Sequence, residues 1–147
     1  HIGFIKKLLP KAKFLHIKRH PMATCFSCYE QNFTRGHEYS FDLKSLASYY
    51  KEYEKLMIHW EQLFPEDVLE VRYEELVFDT ESAVEKCLGF IGLDMHEDCL
   101  KFYDNERTVM TASTDQVREK IASGTNEKWK IYEKELAPLR KDLGFST

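Results

Sequence analysis

"KFLHIKRHPMATCFSCYEQNF", residues 13–33, changes character twice within a short span. Residues 13–18 are mostly apolar and read as a buried strand. Arg19 and His20 interrupt it, and Pro21 follows, a residue that a helix tolerates in its first turn. A helix of about three turns then runs to near Asn32. The same stretch poses a chemical choice. Cys25 and Cys28 stand at C-x-x-C spacing, while Arg19 and Ser27 flank the strand-to-helix turn.

Residues 2–9, "IGFIKKLL", read as the tail of an amphipathic helix ending before Pro10. Downstream, residues 33–42 read as a loop broken at Gly36. Asp42 is a good N-cap for the next segment. Leu43, Leu46, Ala47, Tyr50, Tyr53, Met57, Trp60 and Phe64 recur at steps of three or four, the clearest helical stripe in the chain, and Pro65 ends it. "VLEVRY", residues 68–73, reads as a second strand. Asp79 or Thr80 caps another helix, which Gly92 closes. Residues 96–103 read as a short helix, and residues 104–127 carry no clean period. The C-terminal stretch reads as one or two helices interrupted near Pro138.

Two strands separated by long helical crossovers imply a helix-rich α/β fold with a parallel sheet. A parallel sheet of two strands is too small to cover itself, since such sheets are buried on both faces. The pattern therefore predicts further strands on the N-terminal side. The chain has 147 residues, 43% apolar, which suits one core. Its formal charge is −4, so an anion site must be a local basic cluster. This excludes a general nucleic-acid binder. No apolar run approaches the ~18 residues of a membrane span. Four cysteines in a chain of this length do not read as a secreted disulfide framework.

A redox C-x-x-C sits at a helix N-terminus, where the dipole lowers the thiol pKa. Cys25 lies about a turn inside the predicted helix, where that effect fades. A structural zinc site needs two more ligands at matching spacing, and no second C-x-x-C exists. Packing residues are the favoured reading of both cysteines. Arg19, by contrast, ends a predicted strand, at the edge where open α/β sheets bind ligands. The helix opening at Pro21 aims its N-terminal amides the same way. Ser27 lies two turns in, so its hydroxyl can share a phosphate with the forked donors of Arg19. A surface ion pair and a solvated serine account for the same two residues equally well. Tyr73, ending the second strand, is balanced between ligand edge and core. No Gly-rich phosphate cradle, nucleophile triad or metal-ligand spacing stands out in the sequence.

Taken together, "KFLHIKRHPMATCFSCYEQNF", "VRYEELVFDTESAVEKCLGFIGL" and "TASTDQVREKIASGTNEKWKIYEKELAPL" resemble, in order, three blocks of sulfotransferases that use 3′-phosphoadenosine 5′-phosphosulfate. The likeness is greatest to bacterial members related to tyrosylprotein sulfotransferase, often fused to tetratricopeptide repeats. The resemblance implies the C-terminal portion of a single P-loop-related three-layer sandwich over residues 1–147. The loop for the 5′-phosphosulfate and the general base are then expected upstream of His1, with tetratricopeptide repeats before them. It also implies transfer of a sulfuryl group to a hydroxyl acceptor, protein tyrosine among the candidates, with no metal and no nucleic-acid partner. Arg19 and Ser27 match the pair that holds the 3′-phosphate, and Tyr73 matches a tyrosine near the adenosine. Ser113, Gln116 and Val117, in a loop spanning 113–122, match nucleotide contacts. Lys128 matches a basic residue facing the phosphates. The chain departs from the family pattern at His20, where aspartate is frequent, and at 122–125, where a tyrosine-serine-serine pattern is replaced. Two rivals stay open: a non-catalytic nucleotide-binding or scaffold relative, and a thiol-redox or metal protein built on Cys25 and Cys28. A nucleotide kinase is a lesser third.

Overall fold

A computed structural model describes residues 1–31, 33, 36–101 and 127–145. Its elements alternate as the sequence pattern predicts. Helix α1 (Ile2–Leu8) precedes strand β1 (Phe14–Lys18), which leads into helix α2 (Pro21–Glu30). The long helix α3 (Leu43–Leu63) crosses to strand β2 (Val68–Arg72), followed by α4 (Tyr73–Phe78) and α5 (Thr80–Ile91). Helix α6 (Ala137–Asp142) lies near the C-terminus. Single 3₁₀ turns stand at Glu38–Phe41, Glu97–Leu100 and Lys128–Tyr132. No helix among the described residues is long and apolar enough to cross a membrane.

β1 and β2 pair in parallel, Phe14 opposite Val68 through Lys18 opposite Arg72. The architecture is thus helix-rich α/β with a parallel sheet of two strands among the described residues. Alternation places Phe14, His16 and Lys18 on one face with Val68, Glu70 and Arg72, and Leu15 and Ile17 on the other with Leu69 and Val71. The expectation of a buried β1 needs correcting. Leu15 is 40% and Ile17 48% exposed, and Ile17 borders a cavity rather than packed core.

The helix boundaries have local causes. The Asp42 carboxylate accepts the Ser45 N–H at 2.8 Å and so caps α3. Asp79 does the same for α5 through Ser82 at 3.1 Å. α5 ends at Gly92, whose φ of 77° is the left-handed conformation that a C-terminal glycine adopts without strain. Further readings differ from the structure. Tyr73 opens α4 rather than ending β2, with Glu74 and Glu75 in the first turn, where negative charge is favourable. Residues 38–41 form a 3₁₀ turn rather than open loop. The break expected near Pro138 lies just before it, between the 3₁₀ turn Lys128–Tyr132 and α6, with Pro138 in the first turn of α6.

The core joins α2, α3 and the C-terminal segment. Met22 and Cys25 pack with Leu46, Ala47 and Tyr50, and Leu136 and Leu139 close the cluster. Each large side chain here contributes roughly 1.5–3 kcal/mol by leaving water. α1 is held separately. Lys6 pairs with Asp67 at 2.6 Å. Gly3 lies so close to Trp60 that an added Cβ would meet its ring at 2.7 Å. The result presents the ends of β1 and β2 side by side, with α2 and α3 walling the space beside them.

Candidate functional site

The in-register pairing decides what stands at the C-terminal edge of the sheet. Arg19 is the next residue after β1 and Tyr73 the next after β2, so they are neighbours. The Arg19 guanidinium carbon lies 5.4 Å from the centre of the Tyr73 ring, a cation–π distance. The turn between β1 and α2 is tied down at two points. The His20 backbone N–H donates to Glu74 Oε1 at 2.9 Å. The Thr24 hydroxyl donates to the Arg19 carbonyl at 3.5 Å.

A cavity of ≈ 400 Å³ opens here, and Arg19, Ser27 and Tyr73 all line it. Ser27 is on the exposed side of α2, two turns beyond the turn, where its hydroxyl is available to a ligand. Four further tyrosines, Tyr39, Tyr49, Tyr50 and Tyr53, line it together with Ile17, Thr24 and Leu46. Tyr39 and Tyr49 stack with centroids 3.8 Å apart and planes within 3°. Tyr50 is 5% exposed, and its hydroxyl has no hydrogen-bond partner among the described residues. Burial raises its pKa well above the ordinary tyrosine range, with Glu54 and Tyr53 adding to the effect. A guanidinium and a hydroxyl at the mouth of an aromatic cavity suit an anionic group attached to a planar ring.

Cys25 and Cys28 line the same cavity but are poorly placed for thiol chemistry. Burial, and then Cys28, pushes the Cys25 thiol up to about 12. Burial raises Cys28 as well, and nearby Arg19 only partly opposes it. A reactive or metal-binding cysteine needs the opposite shift. Both thiols are free, and Cys25 packs against α3 in the core cluster.

Lys128 stands elsewhere. Its ammonium pairs with Glu30 Oε1 at 2.5 Å and lies 6.0 Å from the Phe26 ring centre, beside the C-terminal end of α2. It does not line the cavity with Arg19. Glu30 raises the Lys128 pKa. Ser113, Gln116 and Val117, with the rest of the loop 113–122, lie outside the described residues. His20 turns away into an aromatic stack, with Trp129 at 5.3 Å and Phe145 at 5.8 Å. Burial lowers its pKa, more than Glu74 raises it, so the ring is neutral near pH 7.

Tyr50 and Tyr53 belong to the helical stripe of α3, and periodicity alone gives them no role at the site. Their spacing of three places them on one face, and that face borders the cavity as well as the core. Tyr39 and Tyr49 carry a visible signal, an aromatic pair flanking a helix start, but their stacking depends on a turn that spacing alone does not define.

Comparison with known proteins gives two findings. The sequence model of a family described as "Sulfotransferase family" matches residues 1–98. An uncharacterized protein of Aquifex aeolicus (strain VF5) is 34% identical over 142 residues, 95% of this chain and 19% of that protein. The chain therefore spans about a fifth of the length of this relative.

Proposed function

The chain belongs to the sulfotransferase family, and on that premise we propose that it forms the 3′-phosphate and adenosine side of a site for 3′-phosphoadenosine 5′-phosphosulfate. Arg19 and Ser27 hold the 3′-phosphate, and Tyr73 lies against the adenosine. One observation carries this reading: residues from β1, α2 and α4 converge on one cavity at the C-terminal edge of the parallel sheet. Ligands of open α/β sheets bind at that edge. Ser113, Gln116, Val117 and Lys128 are further nucleotide contacts on the strength of the resemblance, and Lys128 must leave Glu30 to take part.

The reaction is transfer of a sulfuryl group to a hydroxyl acceptor, protein tyrosine among the candidates. The bond from sulfur to the 5′-phosphate oxygen breaks as a bond from sulfur to the acceptor oxygen forms. The acceptor proton passes to a base that no described residue is assigned to provide. The contribution of Arg19, Ser27 and Tyr73 is to hold the donor in one orientation, which lowers the entropic part of the barrier. A fixed guanidinium also lowers the cost of gathering phosphate charge in one place.

Calorimetric titration with adenosine 3′,5′-bisphosphate tests the assignment. Arg19→Ala is expected to weaken binding by about 1.5–3 kcal/mol, the range for a hydrogen bond to a charged group. That is a loss of about 10- to 150-fold in Kd. Equal affinity of the two proteins would reject Arg19 as the phosphate ligand.

A further inference from the structure

A second constellation lies on the sheet face that carries His16 and Glu70, and Tyr53 links it to the cavity wall. His16 on β1 stands directly opposite Glu70 on β2. Glu61, from the last turns of α3, reaches in from above. His16 Nδ1 is 3.0 Å from Glu61 Oε1. One ring nitrogen of His16 and one carboxylate oxygen each of Glu61 and Glu70 lie within 4.8 Å of one another. All three residues are half-buried. We propose that His16, Glu61 and Glu70 form a binding site for one divalent transition-metal ion, joining β1, β2 and α3.

The donor set is one imidazole and two carboxylates, which suits ions such as Mn²⁺ or Zn²⁺. The support around it fits as well. His16 Nε2 hydrogen-bonds to the Tyr53 hydroxyl. A metal-bound histidine characteristically donates its second N–H to an acceptor, which orients the ring. With Nε2–H donating to Tyr53, the Nδ1 lone pair faces the glutamates. Without metal, the contact between Nδ1 and Glu61 needs a proton between them. An arriving cation takes that place, and the single proton of the neutral ring then sits on Nε2, facing Tyr53. The two glutamates are 45 and 54 residues from His16 along the chain, so no spacing motif announces them.

One group opposes the ion. Lys18 Nζ lies 3.3 Å from Glu70 Oε2 and 3.6 Å from Glu54 Oε1. Its ammonium competes for the negative charge that a cation would use. Glu70 has a second oxygen for the metal, so both can be accommodated at a reduced affinity. This gives a test with two directions.

Mn²⁺ is the probe, because carboxylates suit it and the four thiols do not. The six-line spin-resonance signal of free Mn²⁺ disappears on binding and reports stoichiometry and Kd. The wild-type chain is expected to bind a single Mn²⁺ and to melt at a higher temperature with it. Tyr53→Phe is expected to lose about 10- to 100-fold in affinity, the range for an outer-shell partner. Glu70→Gln should lose at least as much, and His16→Ala should abolish binding. Lys18→Met should bind Mn²⁺ more tightly than wild type. If His16→Ala does not fold, Glu70→Gln and Lys18→Met decide the matter between them. Arg19→Ala should leave Mn²⁺ affinity unchanged, which separates this site from the nucleotide cavity. Absence of Mn²⁺ binding, or affinity indifferent to Glu70→Gln and Lys18→Met, would overturn the proposal.

Discussion

Replacing Tyr50 by phenylalanine removes one oxygen and leaves the ring in place. The side chain is 5% exposed and its hydroxyl has no partner among the described residues. A buried polar group without a hydrogen bond costs roughly 1–3 kcal/mol, because its water is lost and not replaced. Tyr50→Phe should therefore stabilise the ligand-free protein by about 1–2 kcal/mol, part of the gain being offset by the small void. For a domain of this size each kcal/mol moves Tm by about 2–4 °C. Differential scanning calorimetry near pH 7 reads the change directly. The pH dependence adds a second signature. Burial holds the Tyr50 hydroxyl protonated beyond the usual tyrosine range. An unfolded tyrosine ionises near about pH 10. Above that pH the unfolded chain binds fewer protons than the folded one, so stability, fully present below about pH 10, falls as pH rises. The phenylalanine variant lacks this contribution, and its advantage should widen in the alkaline range. A variant that melts below wild type at neutral pH would show that the hydroxyl is bonded and refute the reasoning.

Two more outcomes rest on the geometry. Because its thiol is pushed up to about 12 and stays protonated, Cys25 should react with iodoacetamide at about pH 8 roughly a thousandfold more slowly than an ordinary cysteine. Peptide mass spectrometry should find Cys87 and Cys99 modified first, and early labelling of Cys25 would restore the redox reading of C-x-x-C. Asp42→Ala removes the cap on α3 and should cost about 1 kcal/mol in urea unfolding; an unchanged midpoint would mean that the carboxylate does not bond the Ser45 N–H in solution.

What could be read from the sequence was whatever is carried by neighbours along the chain. The stripe from Leu43 to Trp60 marks α3 because one face of a helix repeats every three or four residues, and Asp42 and Gly92 mark ends because capping is local. Arg19 and Ser27 were visible as a pair for the same reason, being joined by one turn and one helix. Tyr73 stands on the expected edge but in a different element. An apolar strand and the acidic first turn of a helix meet there, and only tertiary packing draws the boundary. The exposure of Leu15 and Ile17 depends on what covers a sheet, which a strand's own composition does not encode. Tyr50 beside the cavity and Glu61 beside His16 required α3 to be laid across the sheet, and no local rule positions it. The pairing of Lys128 with Glu30 is of the same kind, since it links residues 98 apart in sequence.

The register of the two strands also bears on how the site comes into being. Phe14 meets Val68, and the tie from His20 to Glu74 spans the same offset of 54 residues. Closing a loop of that length adds only modest entropy over a shorter one, because the cost grows with the logarithm of length. The search for it is slow, however, and parallel pairing at long range delays folding. α2 and α3 are close in sequence and can pack together early, whereas Arg19 and Tyr73 meet only when β1 and β2 do. On the proposed function, affinity for adenosine 3′,5′-bisphosphate should therefore be among the last properties acquired during refolding, appearing in step with the sheet rather than with the helices.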